Sequence, residues 1–171
     1  MTATPTAIPG VVVLERAVHA DARGWLTELY RRDRAAGLAL PPFVQENLSA
    51  SRRGVVRGLH FQRGQGKLVT VVAGAIYDVA VDLRGDQPTF GRWVAVELRA
   101  DLPRSLWIPA GCAHGFQALT DEAVVLYQLS AAYAPADEGA VRWDDPTLAI
   151  PWPAAPTACS ATAARRRPTA A

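Results

Sequence analysis

Short apolar segments follow one another along most of the chain, each closed by a turn signal, and a sustained helical period is hard to find. Val11–Leu14, Gly24–Tyr30, Phe43–Ser49, Val55–Gln62, Leu68–Ala73 and Ala75–Leu83 read as strands. Trp93–Leu98, Ser105–Ile108, Gly115–Leu119 and Ala123–Ser130 extend the series. Arg53-Gly54, Gly64-Gln65-Gly66, Gly74, Gly85-Asp86-Gln87-Pro88 and Pro109-Ala110-Gly111 separate them, using the residues that turn the backbone at least cost. Residues 31–40 leave room for one short helical turn, which Pro41-Pro42 would end. Many short strands at close spacing predict an all-β sandwich or barrel, since each must bury one face against another layer.

The 171 residues fit one domain able to bury a core. The formal net charge is +2 and the basic residues are scattered, apart from Arg165, Arg166 and Arg167 near the end. No aromatic or helical reading surface accompanies that cluster, so no nucleic-acid partner is expected. Cys112 and Cys159 form neither a disulfide framework nor a CxxC metal pair. No apolar run approaches the roughly 20 residues that span a bilayer, and no basic-then-apolar leader is seen, so no membrane partner and a cytoplasmic location are expected. From about Ala154 the chain turns to Ala, Thr, Pro and Arg, and no carboxylate follows Asp145. The expected division is a domain over 1–153 and a loose tail over 154–171.

Basic-residue usage is more informative than net charge. The chain has seventeen arginines and one lysine, Lys67. That lysine closes a spaced pattern, G-x5-H-x-Q-x4-K-x6-G, formed by Gly54, His60, Gln62, Lys67 and Gly74, and Pro109-x-Gly111-x-x-His114 follows. The pair resembles the two cupin motifs, which implies a double-stranded β-helix (jelly-roll) barrel with a site between its sheets. Residues two apart on a strand share a face, so His60 and Gln62 should both look inward, and Lys67 should return at the start of the next strand. In metal cupins these positions supply histidines and a carboxylate. Here Gln62 and Lys67 stand in their place, and a protonated lysine repels a divalent cation, so neither metal nor other cofactor is expected. A fixed ammonium inside a barrel suits a developing oxyanion instead.

The surrounding words narrow the resemblance. Gln45-Glu46-Asn47, Arg57-Gly58-Leu59-His60-Phe61-Gln62, Asp78-Val79-Ala80-Val81-Asp82, Leu106-Trp107-Ile108-Pro109, Ala113-His114-Gly115-Phe116 and Tyr133-x-Pro135-x-x-Glu138 are similar to the dTDP-4-dehydrorhamnose 3,5-epimerase family. The match runs from about Val11 to Pro153. It implies an epimerase of a dTDP-4-keto-6-deoxyhexose that inverts C3, C5 or both through an enolate. It also implies a homodimer that exchanges N-terminal strands.

Carried over by resemblance, His60 is the base, Lys67 holds the enolate oxygen and Tyr127 reprotonates from the far face. Arg23, Glu28, Gln45, Asn47, Arg57, His114 and Glu138 become substrate contacts. The family usually adds an aspartate beyond the Trp-Pro pair to support the histidine, where this chain reads Ala154-Ala155-Pro156-Thr157-Ala158-Cys159-Ser160. Asp78 or Asp82, at the same strand parity, are the candidate replacements. Two functions therefore stay open: an epimerase, favoured by His60, Lys67 and Tyr127, and an inactive barrel that binds a sugar nucleotide or a partner protein, favoured by the missing carboxylate.

Overall fold

A computed structural model describes residues 1–159. The strands are β1 (Thr2–Pro5), β2 (Val12–Glu15), β3 (Val18–Asp21), β4 (Gly24–Thr27), β5 (Gln45–Arg52), β6 (Val55–Gln62) and β7 (Lys67–Ala73). They continue with β8 (Ala75–Asp82), β9 (Trp93–Arg99), β10 (Arg104–Ile108), β11 (Cys112–Ala118), β12 (Glu122–Leu129), β13 (Glu138–Ala140) and β14 (Ala158–Cys159). One short helix, α1 (Arg32–Gly37), lies in the window the prolines left for it. Among the described residues no helix is long and apolar enough to cross a membrane.

Two sheets form the body. One runs β1-β2-β10-β7-β12-β5 and the other β13-β6-β11-β8-β9, with β14 added in parallel to β6. β3 and β4 make a separate hairpin. This is the cupin-like jelly roll that the alternation and the two motifs implied.

Strand parity decides what fills it. Val69 and Val71 of β7, Leu106 and Ile108 of β10, and Val125 of β12 face Ile76 and Ala80 of β8, Leu98 of β9, and Phe116 of β11 in one buried cluster. Burying a side chain of this size is worth about 1.5–3 kcal/mol, so this layer holds the sheets together. Leu59, Val79, Val81 and Ala113 point the other way and are covered by Val141, Ile150 and Trp152. Residues 141–152 thus roof the outer face of the second sheet, while Ala35, Leu40 and Phe43 cover Leu68 and Trp107 on the first.

Two glycines permit close approaches. Gly74 turns β7 into β8 at φ +73°, and a Cβ there would lie 2.1 Å from the Glu122 carbonyl oxygen. Gly58 lets β6 press against β11: its Cβ would meet the Gly115 Cα at 2.4 Å. That contact brings His60 opposite His114 in the β6–β11 ladder.

Residues 154–159 are not loose. Gln117 binds both backbone groups of Ala154, Thr157 N donates to Gly54 O, and Ala158–Cys159 pair with Val55–Val56. Composition cannot reveal this, because backbone groups, one buried glutamine and the Thr157 hydroxyl make the attachment. The remainder of the expected tail, 160–171, lies outside the described residues.

Candidate active site

At one end of the barrel the inward positions stop being apolar. Lys67 shares parity with Val69 and Val71 on β7, Tyr127 with Val125 on β12, Asp78 with Ile76 and Ala80 on β8, and His114 with Phe116 on β11. The result is a cleft of about 660 Å³ between the sheets. Gln45, Asn47, Arg57, His60, Lys67, His114, Tyr127 and Glu138 all line it, eight of the ten residues proposed from sequence for catalysis and substrate contact.

His60 and Tyr127 enter from opposite sheets. Lys67 sits beside Tyr127's strand, with Leu129 of β12 paired to it, and its Nζ donates to the His60 carbonyl oxygen at 3.3 Å. Tyr127 Oη shares a 3.1 Å hydrogen bond with Ser49 Oγ. The His114 ring stands edge-on to the Tyr127 ring, with centroids 5.9 Å apart. Arg57 is held toward the cleft by Ser51 Oγ at 2.7 Å and Ala50 O at 2.9 Å.

Electrostatics separate the roles these groups can take. Burial lowers the His60 pKa below its usual value, and the Lys67 charge lowers it further, so the imidazole is neutral and able to accept a proton at pH 7. Burial pulls Lys67 down to about 8, while the charges of Glu138 and Asp78 hold it up. It therefore keeps most of its charge at neutral pH. Burial raises the Tyr127 pKa far above its usual value, so the phenol keeps its proton and can act only as an acid. A neutral base, a buried cation and a protonated acid around one cleft can move a proton at carbon beside a carbonyl.

The donor set does not fit a metal. Gln62 does not aim a ligand at the cleft: its Oε1 accepts from Ala134 N at 3.2 Å and its Nε2 donates to Ala132 O at 3.4 Å, tying down that loop. Among the described residues no group of three or more His, Cys, Asp or Glu side chains could hold a metal ion.

Four of the proposed residues lie away from His60 or from the cleft. Asp78 does not reach His60; its Oδ1 and His114 Nε2 share a 2.6 Å hydrogen bond in the buried floor. Asp82 is taken up by Arg84 at 2.8 Å and Thr89 at 2.5 Å. Among the described residues a carboxylate does stand beside His60, that of Glu138, with Oε1 3.9 Å from Nδ1. Arg23 and Glu28 do not line the cleft of their own chain: Arg23 pairs with Asp21 at the hairpin turn, and Glu28 pairs with Arg34 at 3.2 Å. Sequence reasoning gave no role to Ser49, although it shares parity with Gln45 and Asn47 on β5, nor to Tyr133, which also lines the cleft.

Comparison with known proteins gives a consistent picture. The sequence profile of a family described as dTDP-4-dehydrorhamnose 3,5-epimerase matches residues 5–168. The dTDP-4-dehydrorhamnose 3,5-epimerase of Salmonella typhimurium is 47% identical over 158 residues, covering 90% of this chain and 86% of that one. The crystal structure of a Legionella pneumophila 3,5-epimerase in complex with dTDP-4-keto-L-rhamnose superposes with a TM-score of 0.91 at 40% identity, covering 95% of this chain and 89% of that chain. A 3′-monoepimerase from Streptomyces bikiniensis in complex with dTDP-quinovose is also similar, with a TM-score of 0.87 at 36% identity, covering 94% and 84%.

Proposed function

Because the chain belongs to the dTDP-4-dehydrorhamnose 3,5-epimerase family, we propose that this cleft epimerises a dTDP-4-keto-6-deoxyhexose beside its C4 ketone, with His60, Lys67 and Tyr127 in the roles their surroundings permit. The observation that carries the reading is the convergence of these three side chains from opposite walls of one cleft. His60 takes the acidic proton from carbon, the electron pair moves onto O4, and Lys67 stabilises the enolate oxygen. Tyr127 then protonates the carbon from the opposite side, and the centre is inverted. Arg57, Gln45 and Asn47 supply donors for the diphosphate and nucleotide. The cycle needs no metal, since Lys67 holds the charge a metal would otherwise hold.

Incubation with dTDP-4-keto-6-deoxyglucose in deuterated water tests the reaction. Deuterium at C3 and C5 identifies a double epimerase, deuterium at one carbon a single-site enzyme, and none above the blank defeats the proposal. Tyr127→Phe separates the half-reactions. The variant is expected to keep deuterium exchange through His60 while inverted product falls by roughly 10²-fold or more. Equal loss of exchange and inversion would remove Tyr127 from the acid role.

The second copy has a place in this reading. Trp25 and Leu26 on the hairpin are 64% and 71% exposed, and Val18, Val72 and Leu102 are exposed beside them. These residues border an apolar hollow of about 360 Å³. Docking of a second chain there would bury the patch and carry Arg23 and Glu28 to the neighbouring cleft. Inactive His60→Gln and Arg23→Glu chains, co-refolded, are then expected to recover roughly a quarter of the wild-type sites. Recovery of none would rule out shared sites.

A further inference from the structure

We propose that Glu138 is a positioning residue whose carboxylate orients His60 and stabilises the imidazolium formed when His60 takes its proton, a role that rests on the reaction proposed above. Glu138 opens β13, which pairs with the end of β6 so that Glu138 stands opposite Gln62 and Ala140 opposite His60. Its two oxygens are used differently. Oε1 faces His60 Nδ1 at 3.9 Å, and Oε2 accepts a 2.8 Å hydrogen bond from the Tyr133 hydroxyl. The Tyr133 N–H in turn donates to Gln45 Oε1 at 2.8 Å, and Gln62 fastens the backbone on either side of Tyr133. The carboxylate is thus clamped from behind and turned toward the base.

The charges around His60 give that placement a consequence. Lys67 from β7 and His114 from β11 disfavour a positive imidazole, and Glu138 from β13 favours one. A base flanked by a lysine needs such a counter-charge, because proton abstraction leaves two cations side by side in a partly buried cleft. Arg57, the other cation lining the cleft, is engaged with β5. Asp78 gives its Oδ1 to His114 rather than to His60. A carboxylate contacting only the sugar nucleotide would change binding; one supporting the base changes turnover.

The chain contains three histidines, so their imidazole resonances can be followed one by one in labelled protein. In Glu138→Gln without substrate, the His60 titration midpoint is expected to fall by roughly half a unit or more relative to wild type. With dTDP-4-keto-6-deoxyglucose, kcat is expected to fall about tenfold while KM stays within about twofold. Glu138→Ala supplies the same readout should the amide disturb β13. An unmoved His60 titration, or a raised KM at unchanged kcat, would overturn the assignment and leave Glu138 a substrate contact. A wild-type protein that incorporates no deuterium defeats the reaction itself, and the titration in the same samples still decides whether Glu138 supports His60.

Discussion

Replacing His60 with glutamine is expected to lower turnover by roughly 10³-fold while dTDP affinity stays within about twofold. Glutamine keeps the volume and a hydrogen-bonding head but cannot accept the proton, so only the chemical step is lost. The donors proposed for the nucleotide lie on β5 and on Arg57, which His60 does not hold in place. The pH profile gives a second readout. The base must be neutral, and burial together with Lys67 sets its pKa below the ordinary histidine value. Wild-type kcat/KM should therefore remain flat below pH 7 before its acid limb appears, and the residual rate of His60→Gln should lack that limb. The alkaline limb reports Lys67, whose loss of charge is centred near pH 8. A variant that retains wild-type deuterium exchange would show that another group takes the proton.

Much of this site was legible because strand parity is local. The alternation over Leu68–Ala73 and Ala123–Ser130 says which side chains point inward, and His60, Lys67 and His114 follow from the spaced motifs, while Tyr127 shares that inward parity but was singled out only by the family resemblance. Pairing between strands is not local, and there the reading failed. Asp78 does point inward, as its parity requires. Which histidine it meets depends on β8 lying next to β11 rather than β6, with Phe116 opposite Asp78 and His114 one step along. Asp82 has the same parity but sits at the strand's end, where Arg84 and Thr89 hold it. Glu138 belongs to a three-residue strand with no apolar pattern of its own, so only the pairing with β6 shows that it reaches His60. β1 and β3 were missed for a similar reason: all their residues are exposed, and nothing in their composition marks a buried face.

Lys67→Met should give the other large effect, a protein that is more stable and nearly inactive. A preorganised cation at a developing oxyanion is worth roughly 10²–10³ in rate, and methionine offers the same length without charge. Turnover is therefore expected to fall by about that factor, with the alkaline limb near pH 8 absent. The stability gain follows from the pKa. Lys67 titrates at about 8 in the fold against 10.5 when unperturbed, so the folded chain holds the ammonium less readily than the unfolded chain does. Keeping it charged at pH 7 costs on the order of 3 kcal/mol, a net figure in which the attraction to Glu138 and Asp78 is already counted. In a domain of this size that corresponds to a rise in Tm of roughly 6–12 °C for the variant. The sign fixes the pH dependence. Between about 8 and 10.5 the unfolded chain binds the proton that the folded wild type has released, so wild-type stability climbs with pH and the variant's advantage shrinks. Thermal melts of both proteins at pH 7 and pH 10 test this directly. A variant less stable than wild type at pH 7, or one that keeps full turnover, would mean that Lys67 is an ordinary buried partner of Glu138 and not a cation retained at a stability cost for the enolate oxygen.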